Sequence, residues 1–131
     1  MIDCMILGDS IAVGTQQFKQ ECRAKARGGI NSRQFNKNYP GQFTSNTVVI
    51  SLGSNDHSGV RTRDELENLR KRISPNSKVY WILPAIKPDI QDIITDIAQQ
   101  QGDIVLLIPR LQRDGIHPSW AGYKQLAEII N

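Results

Sequence analysis

A chain of 131 residues is long enough for one ordinary domain with a real core and too short for two. Its hydrophobic fraction of 39% with 22% charged residues is that of a globular protein in water, and no apolar run approaches the length of a bilayer-spanning helix. Sixteen Lys and Arg against 13 Asp and Glu leave +3, scattered and without interleaved aromatics, which argues against a nucleic-acid partner and suits an anionic substrate.

The chain opens without a basic region, a long apolar core and a small-residue cleavage site, so neither Sec export nor a membrane anchor is expected. A cytoplasmic protein is the expectation, with release by lysis or membership of a larger particle left open. The first strand is expected from Ile2. Its apolar run Met5-Ile6-Leu7 stops at Gly8-Asp9-Ser10, and a helix follows over 11–20. That places a hydroxyl at a helix N-terminus, where backbone N–H groups cluster and could receive an oxyanion. Read alone, Gly8-Asp9-Ser10 is a helix-capping turn.

Cys4 falls in the first strand and Cys22 near the start of a short second one over 22–26. Two cysteines do not make a disulfide scaffold, and two small buried thiols are expected rather than a bridge. No Cys or His cluster has metal-ligand spacing, so neither metal nor cofactor is expected. Arg27-Gly28-Gly29-Ile30-Asn31-Ser32 reads as a flexible loop capping a small helix over 33–38, and Tyr39-Pro40-Gly41 as a turn.

Thr47-Val48-Val49-Ile50-Ser51-Leu52 is the clearest buried strand, and it stops at Gly53-Ser54-Asn55-Asp56, repeating the pattern of the opening. A helix over 62–73 carries Leu66, Leu69 and Ile73 on one face, with Thr62 and Glu65 spaced as a capping box. A fourth strand over 78–83 is closed by Pro84. The next helix, over 88–100, presents Ile90, Ile93, Ile94 and Ile97, and Gly102 follows its end. A fifth strand over 103–108 leads into a polar loop over 110–117. Pro118 then opens a last helix with Trp120, Tyr123, Ala127 and Ile130 on one stripe.

Strands alternating with helices predict a three-layer α/β/α sandwich, a flavodoxin-like five-stranded parallel sheet forming a single domain over 1–131. In such sheets ligands bind beyond the carboxyl ends of the strands, where Ser10, Gly29, Asn55 and the 110–117 loop all fall. Folding does not require four polar sites to converge on one rim. Asp114-Gly115-Ile116-His117 supplies the chemistry a serine lacks, because a hydroxyl is a weak nucleophile until an imidazole oriented by a carboxylate removes its proton. His57, beside Asp56 on the same rim, is a reserve base. Asp9 and Asp56 are expected to hold their loops by accepting backbone hydrogen bonds.

Together, Gly8-Asp9-Ser10, Gly28-Gly29, Gly53-Ser54-Asn55-Asp56 and Asp114-Gly115-Ile116-His117 resemble the four blocks of the SGNH or GDSL-type hydrolases, in order and across nearly the whole chain. The first block departs by reading Gly-Asp-Ser-Ile, Ile11 standing where the family name has Leu. The resemblance implies Ser10 as nucleophile, His117 as general base and then acid, and Asp114 as its orienting carboxylate. It also implies an oxyanion hole from the N–H groups of Ser10 and Gly29 with the side-chain amide of Asn55; Gly28 is the alternative donor, since adjacent glycines leave the register open.

The expected activity is that of a cofactor-free serine esterase acting on short-chain esters of small molecules or carbohydrates, through an acyl-enzyme. With no long insertion to form a lid, the site should be an open groove without selectivity for long acyl chains. Arg27, Arg110 and Arg113 would make its rim cationic and suited to acetylated acidic glycans. Competing readings are a sugar O-acyltransferase, a thioesterase or lysophospholipase, and a non-enzymatic carbohydrate-binding module. The oligomeric state is not legible.

Overall fold

The computed structural model describes residues 3–130 and places in them the strands β1 Cys4–Gly8, β2 Arg23–Ala26, β3 Thr47–Ser51, β4 Lys78–Leu83 and β5 Ile104–Leu107. Between and after them run the helices α1 Ser10–Gln17, α2 Ser32–Asn38, α3 Thr62–Lys71, α4 Pro88–Gln101 and α5 Trp120–Ile129. The five strands form one parallel sheet in the order β2-β1-β3-β4-β5. This is the doubly wound order in which the winding reverses between β1 and β3 and opens a crevice at their carboxyl ends.

The period of two in each strand divides the core. Met5, Leu7, Val48, Ile50, Val79 and Trp81 face one way and meet α2, α3 and α4 through Phe35, Leu66, Leu69, Ile90, Ile94 and Ile97. Cys4, Ile6, Val49, Tyr80 and Ile82 face the other way, onto Ile11 and Ala12 of α1 and Leu126 of α5. Every residue of β1 and β3 is buried, which explains why these two read as unbroken apolar runs. Trp81 donates its indole N–H to Asp103 at 2.9 Å, and Arg70 grips the same carboxylate at 2.8 and 3.0 Å, so this buried acid is paired. Among the described residues no helix is long and apolar enough to cross a membrane.

Several expectations are corrected. Cys4 and Cys22 form a disulfide instead of two thiols, because the parallel register that sets Met5 opposite Arg23 brings the preceding pair of residues together. The helix α1 stops at Gln17, short of residue 20, where the N–H groups of Phe18 and Lys19 turn back onto Thr15 and Gln16 in tighter three-residue bonds. The Thr62–Glu65 capping box does not form: α3 has no side-chain cap, and Thr62 gives its hydroxyl to Asp56 at 2.8 Å. The last helix starts at Trp120 behind a Ser119 cap instead of at Pro118. Trp120 is 69% exposed and packs edge-on against Phe18, so α5 meets the core through Leu126 and Ala127, with Tyr123 partly buried beside them and Ile130 just past its end. Ile2, where the first strand was expected to begin, lies outside the described residues.

Candidate active site

Gly8 ends β1 at the crevice with φ +141°, and a Cβ there would overlap the Ser51 carbonyl of β3. Only glycine lets the two backbones approach this closely. Asp9 follows in extended conformation as the cap of α1: its Oδ1 accepts the Ile11 N–H at 3.0 Å and the Ser51 hydroxyl at 3.1 Å. Asp9 is fully buried and its Oδ2 has no hydrogen-bond partner among the described residues. Burial therefore pushes its carboxyl up to about 6, against the pull of those two hydrogen bonds. Ser10 is the first residue of α1, so its N–H has no acceptor within the helix.

The polar loop after β5 meets Ser10 from the far side of the crevice. Ser10 Oγ lies 2.8 Å from His117 Nε2, and His117 Nδ1 lies 2.7 Å from Asp114 Oδ2. Asp114 Oδ1 accepts the N–H groups of Ile116 and His117 at 2.9 and 3.0 Å, a tight turn that three-residue spacing makes possible. Those two backbone bonds, with the His117 side chain, hold the exposed Asp114 carboxyl down at about 2. The order hydroxyl, imidazole, carboxylate can take a proton from Ser10 and hold the imidazolium that results.

Two further loops reach the same rim. Gly29 has φ +77°, and a Cβ placed on the neighbouring Gly28 would point at the Ser10 Cβ from 3.9 Å. Among the described residues neither the Gly28 nor the Gly29 N–H donates to a protein acceptor, which leaves both free to meet a ligand. Asn55 gives one hydrogen of its amide to the Ile30 carbonyl at 3.1 Å, which ties the glycine loop to the loop after β3 and leaves the second hydrogen free. Asp56 accepts the Ser32 N–H and the Thr62 hydroxyl, each at 2.8 Å, and thus fastens both loops as expected.

His57 is not joined to Ser10. Its Nδ1 accepts the Gly59 N–H at 3.0 Å, and among the described residues no carboxylate orients the ring. Lys87 was missed by the sequence reading. It adopts a left-handed conformation, φ +69°, before α4, and its ammonium donates to the carbonyls of Ser54 and Asp56 at 2.7 Å each, bracketing Asn55. No sequence signal marks a lone lysine for this. An open groove of about 480 Å³, walled by Val60, Pro88, Ile90 and Ile93, begins at Asp56 and His57 but is lined by neither Ser10, Asn55 nor His117. Among the described residues no group of three or more His, Cys, Asp and Glu is placed to hold a metal ion.

No family model and no curated protein matches the chain by sequence. Solved structures do match in fold. A protein described as a GDSL-like lipase from Bacteroides uniformis superposes with a TM-score of 0.68 at 15% identity, covering 97% of this chain and 92% of its own. A second GDSL-like lipase so described, from Bacteroides ovatus, gives 0.64 at 14% identity over 98% and 95%. The C-terminal catalytic domain of Streptococcus pneumoniae peptidoglycan O-acetyltransferase A, solved with a methylsulfonyl adduct, gives 0.56 at 15% identity over 99% and 96%. The chain thus has the α/β fold of GDSL-like, SGNH-type proteins along almost its whole length.

Proposed function

We propose that the protein is a serine esterase that cleaves short-chain carboxylic esters, acetyl groups on carbohydrate among them, through an acyl-enzyme. The observation that carries this reading is the unbroken contact from Ser10 Oγ through both ring nitrogens of His117 to Asp114, at 2.8 and 2.7 Å. In this reaction Ser10 Oγ attacks the ester carbonyl carbon as its proton passes to His117 Nε2. The tetrahedral oxyanion takes hydrogen bonds from the N–H groups of Ser10 and Gly29 and from the free amide hydrogen of Asn55. Collapse expels the alcohol, which leaves with the proton from His117, and water repeats the sequence in reverse to release the acid.

Short acyl groups are favoured because the apolar groove does not reach Ser10, so methylenes attached there start out in water and gain little of the ~0.8 kcal/mol that each could on burial. Transfer of the acyl group to a sugar hydroxyl needs the same residues, and likeness in fold to an O-acetyltransferase domain supports it as the second reading. The test is hydrolysis of p-nitrophenyl esters with wild type and Ser10→Ala, together with mass spectrometry after a serine-directed phosphonate. Ser10-dependent turnover, best on acetate or butyrate and falling by C8, with phosphonylation of Ser10, is the expected result. Product esters on added sugars would favour transfer, and activity that survives Ser10→Ala would refute both readings.

A further inference from the structure

A second cavity, of about 310 Å³, lies between α2 and the loop after Asp56, and its polar side chains present chiefly donors. Asn31, Arg33, Gln34, Lys37 and His57 line it, with Gly59 and Val60 closing one end. It continues from both loops at the Ser10 rim: Asn31 follows Ile30, whose carbonyl holds Asn55, and His57 is two residues beyond Asn55.

The cap of α2 engages both amide oxygens. Asn31 Oδ1 takes the Gln34 N–H at 2.9 Å and Gln34 Oε1 takes the Asn31 N–H at 3.0 Å. Only the oxygen of an amide can accept from an N–H, so both NH₂ groups are left as donors. The Gly59 N–H occupies His57 Nδ1, which puts the proton of the neutral ring on Nε2, a further donor. Arg33 and Lys37 are exposed and pair with no carboxylate among the described residues. Asp56, which adjoins His57, commits its two oxygens to Ser32 and Thr62. Five side chains, two of them cationic, therefore await acceptors.

A neutral apolar or cationic ligand would strip water from these groups without replacing it. A planar carboxylate matches the fork of Arg33 bidentately, and ring hydroxyls and ether oxygens match the amides and the imidazole. We propose that this cavity is a subsite for a uronate unit, the carboxylate-bearing neighbour of the esterified sugar in an acidic saccharide. The inference rests on the esterase reading of Ser10 for the identity of the substrate, but not for binding itself.

The experiment is calorimetric titration of wild type and the Arg33→Ala/Lys37→Ala variant with tetramannuronate, which carries no ester and so reads binding apart from catalysis. The variant should bind at least roughly tenfold more weakly, as loss of charge-assisted hydrogen bonds does. Lys71→Ala, which removes an exposed cation from α3, should bind like wild type. If Ser10 is the nucleophile, the double variant should also lower kcat/KM on O-acetylated alginate, relative to that on O-acetylated dextran. Failure of the esterase reading would abolish turnover of both polymers and leave the titration intact. The subsite is overturned if the double variant binds tetramannuronate like wild type, if maltotetraose binds wild type as tightly, or if inorganic phosphate binds more tightly than the uronate.

Discussion

Asp9 and Ser51 join the carboxyl ends of β1 and β3: the serine hydroxyl donates to Asp9 Oδ1 at 3.1 Å, deep under the residue that carries the candidate nucleophile. The second oxygen of Asp9 has no hydrogen-bond partner among the described residues, and burial pushes the carboxyl up to about 6. A raised carboxyl binds its proton more tightly in the folded chain than in the unfolded one, so the stability that Asp9 contributes is greatest below the ordinary carboxylate value of 3.8. It declines as the pH rises through about 6 and is flat above. The difference between the two plateaus is on the order of 3 kcal/mol. Asp9→Asn cannot ionise, so between pH 4 and pH 7 its melting temperature should drop by less than that of wild type. Parallel curves for the two proteins would show that Asp9 does not titrate in this range.

Ser10→Ala or His117→Ala should lower kcat on p-nitrophenyl acetate by several orders of magnitude, since removing one member of such a unit disables it. Asp114→Asn should cost less, because the turn through Ile116 and His117 gives an amide oxygen the same two backbone donors. His57→Ala should stay close to wild type. Steady-state kinetics decides, and loss of activity in His57→Ala with retention in His117→Ala would reassign the base. With Asp114 held at about 2, the acid limb of a pH–rate profile belongs to another group.

Asn55→Ala removes the neutral donor proposed for the developing oxyanion. It should reduce kcat roughly 10²–10³-fold and move KM little. A change confined to KM would make Asn55 a substrate-binding residue instead.

The Cys4–Cys22 bridge closes a loop with a sequence separation of 18. Restricting the unfolded chain over such a loop is worth about 3 kcal/mol, so Cys4→Ser/Cys22→Ser should melt roughly 10 °C below the oxidised wild type. Differential scanning calorimetry with and without reductant measures it, and equal melting temperatures would contradict the prediction.

What could be read from the sequence follows a physical divide. The alternation of strands and helices and the buried central strands were legible because Met5-Ile6-Leu7 and Thr47 to Leu52 state their burial locally; Ser10 and Asn55 follow the ends of those two strands, and Asp114 and His117 lie in the polar loop after the last strand. The register that pairs Cys4 with Cys22 belongs to two strands at once, and neither alone discloses it. Thr62 and Glu65 have the spacing of a capping box, but a buried Asp56 from another loop competes for the Thr62 hydroxyl and wins. Trp120 has the spacing of a core residue and lies outside because Phe18 meets it at the surface. Lys87 acts through carbonyls more than thirty positions away, which no local pattern records.

The two halves of the candidate site are anchored unequally. Ser10 stands on a strand buried along its whole length, with Asp9 fixed to β3 beneath it. Asp114 and His117 ride on an irregular segment tied mainly to itself, by the Gln112 N–H on the His117 carbonyl at 2.8 Å and the Ser119 N–H on the Arg110 carbonyl at 2.6 Å. Such a segment can detach as a small cooperative unit while the sheet persists. Its amide hydrogens should therefore exchange with solvent far sooner than those of β1 and β3. On the esterase reading, heating would silence turnover by releasing His117 before the sheet unfolds, giving catalysis a melting curve of its own.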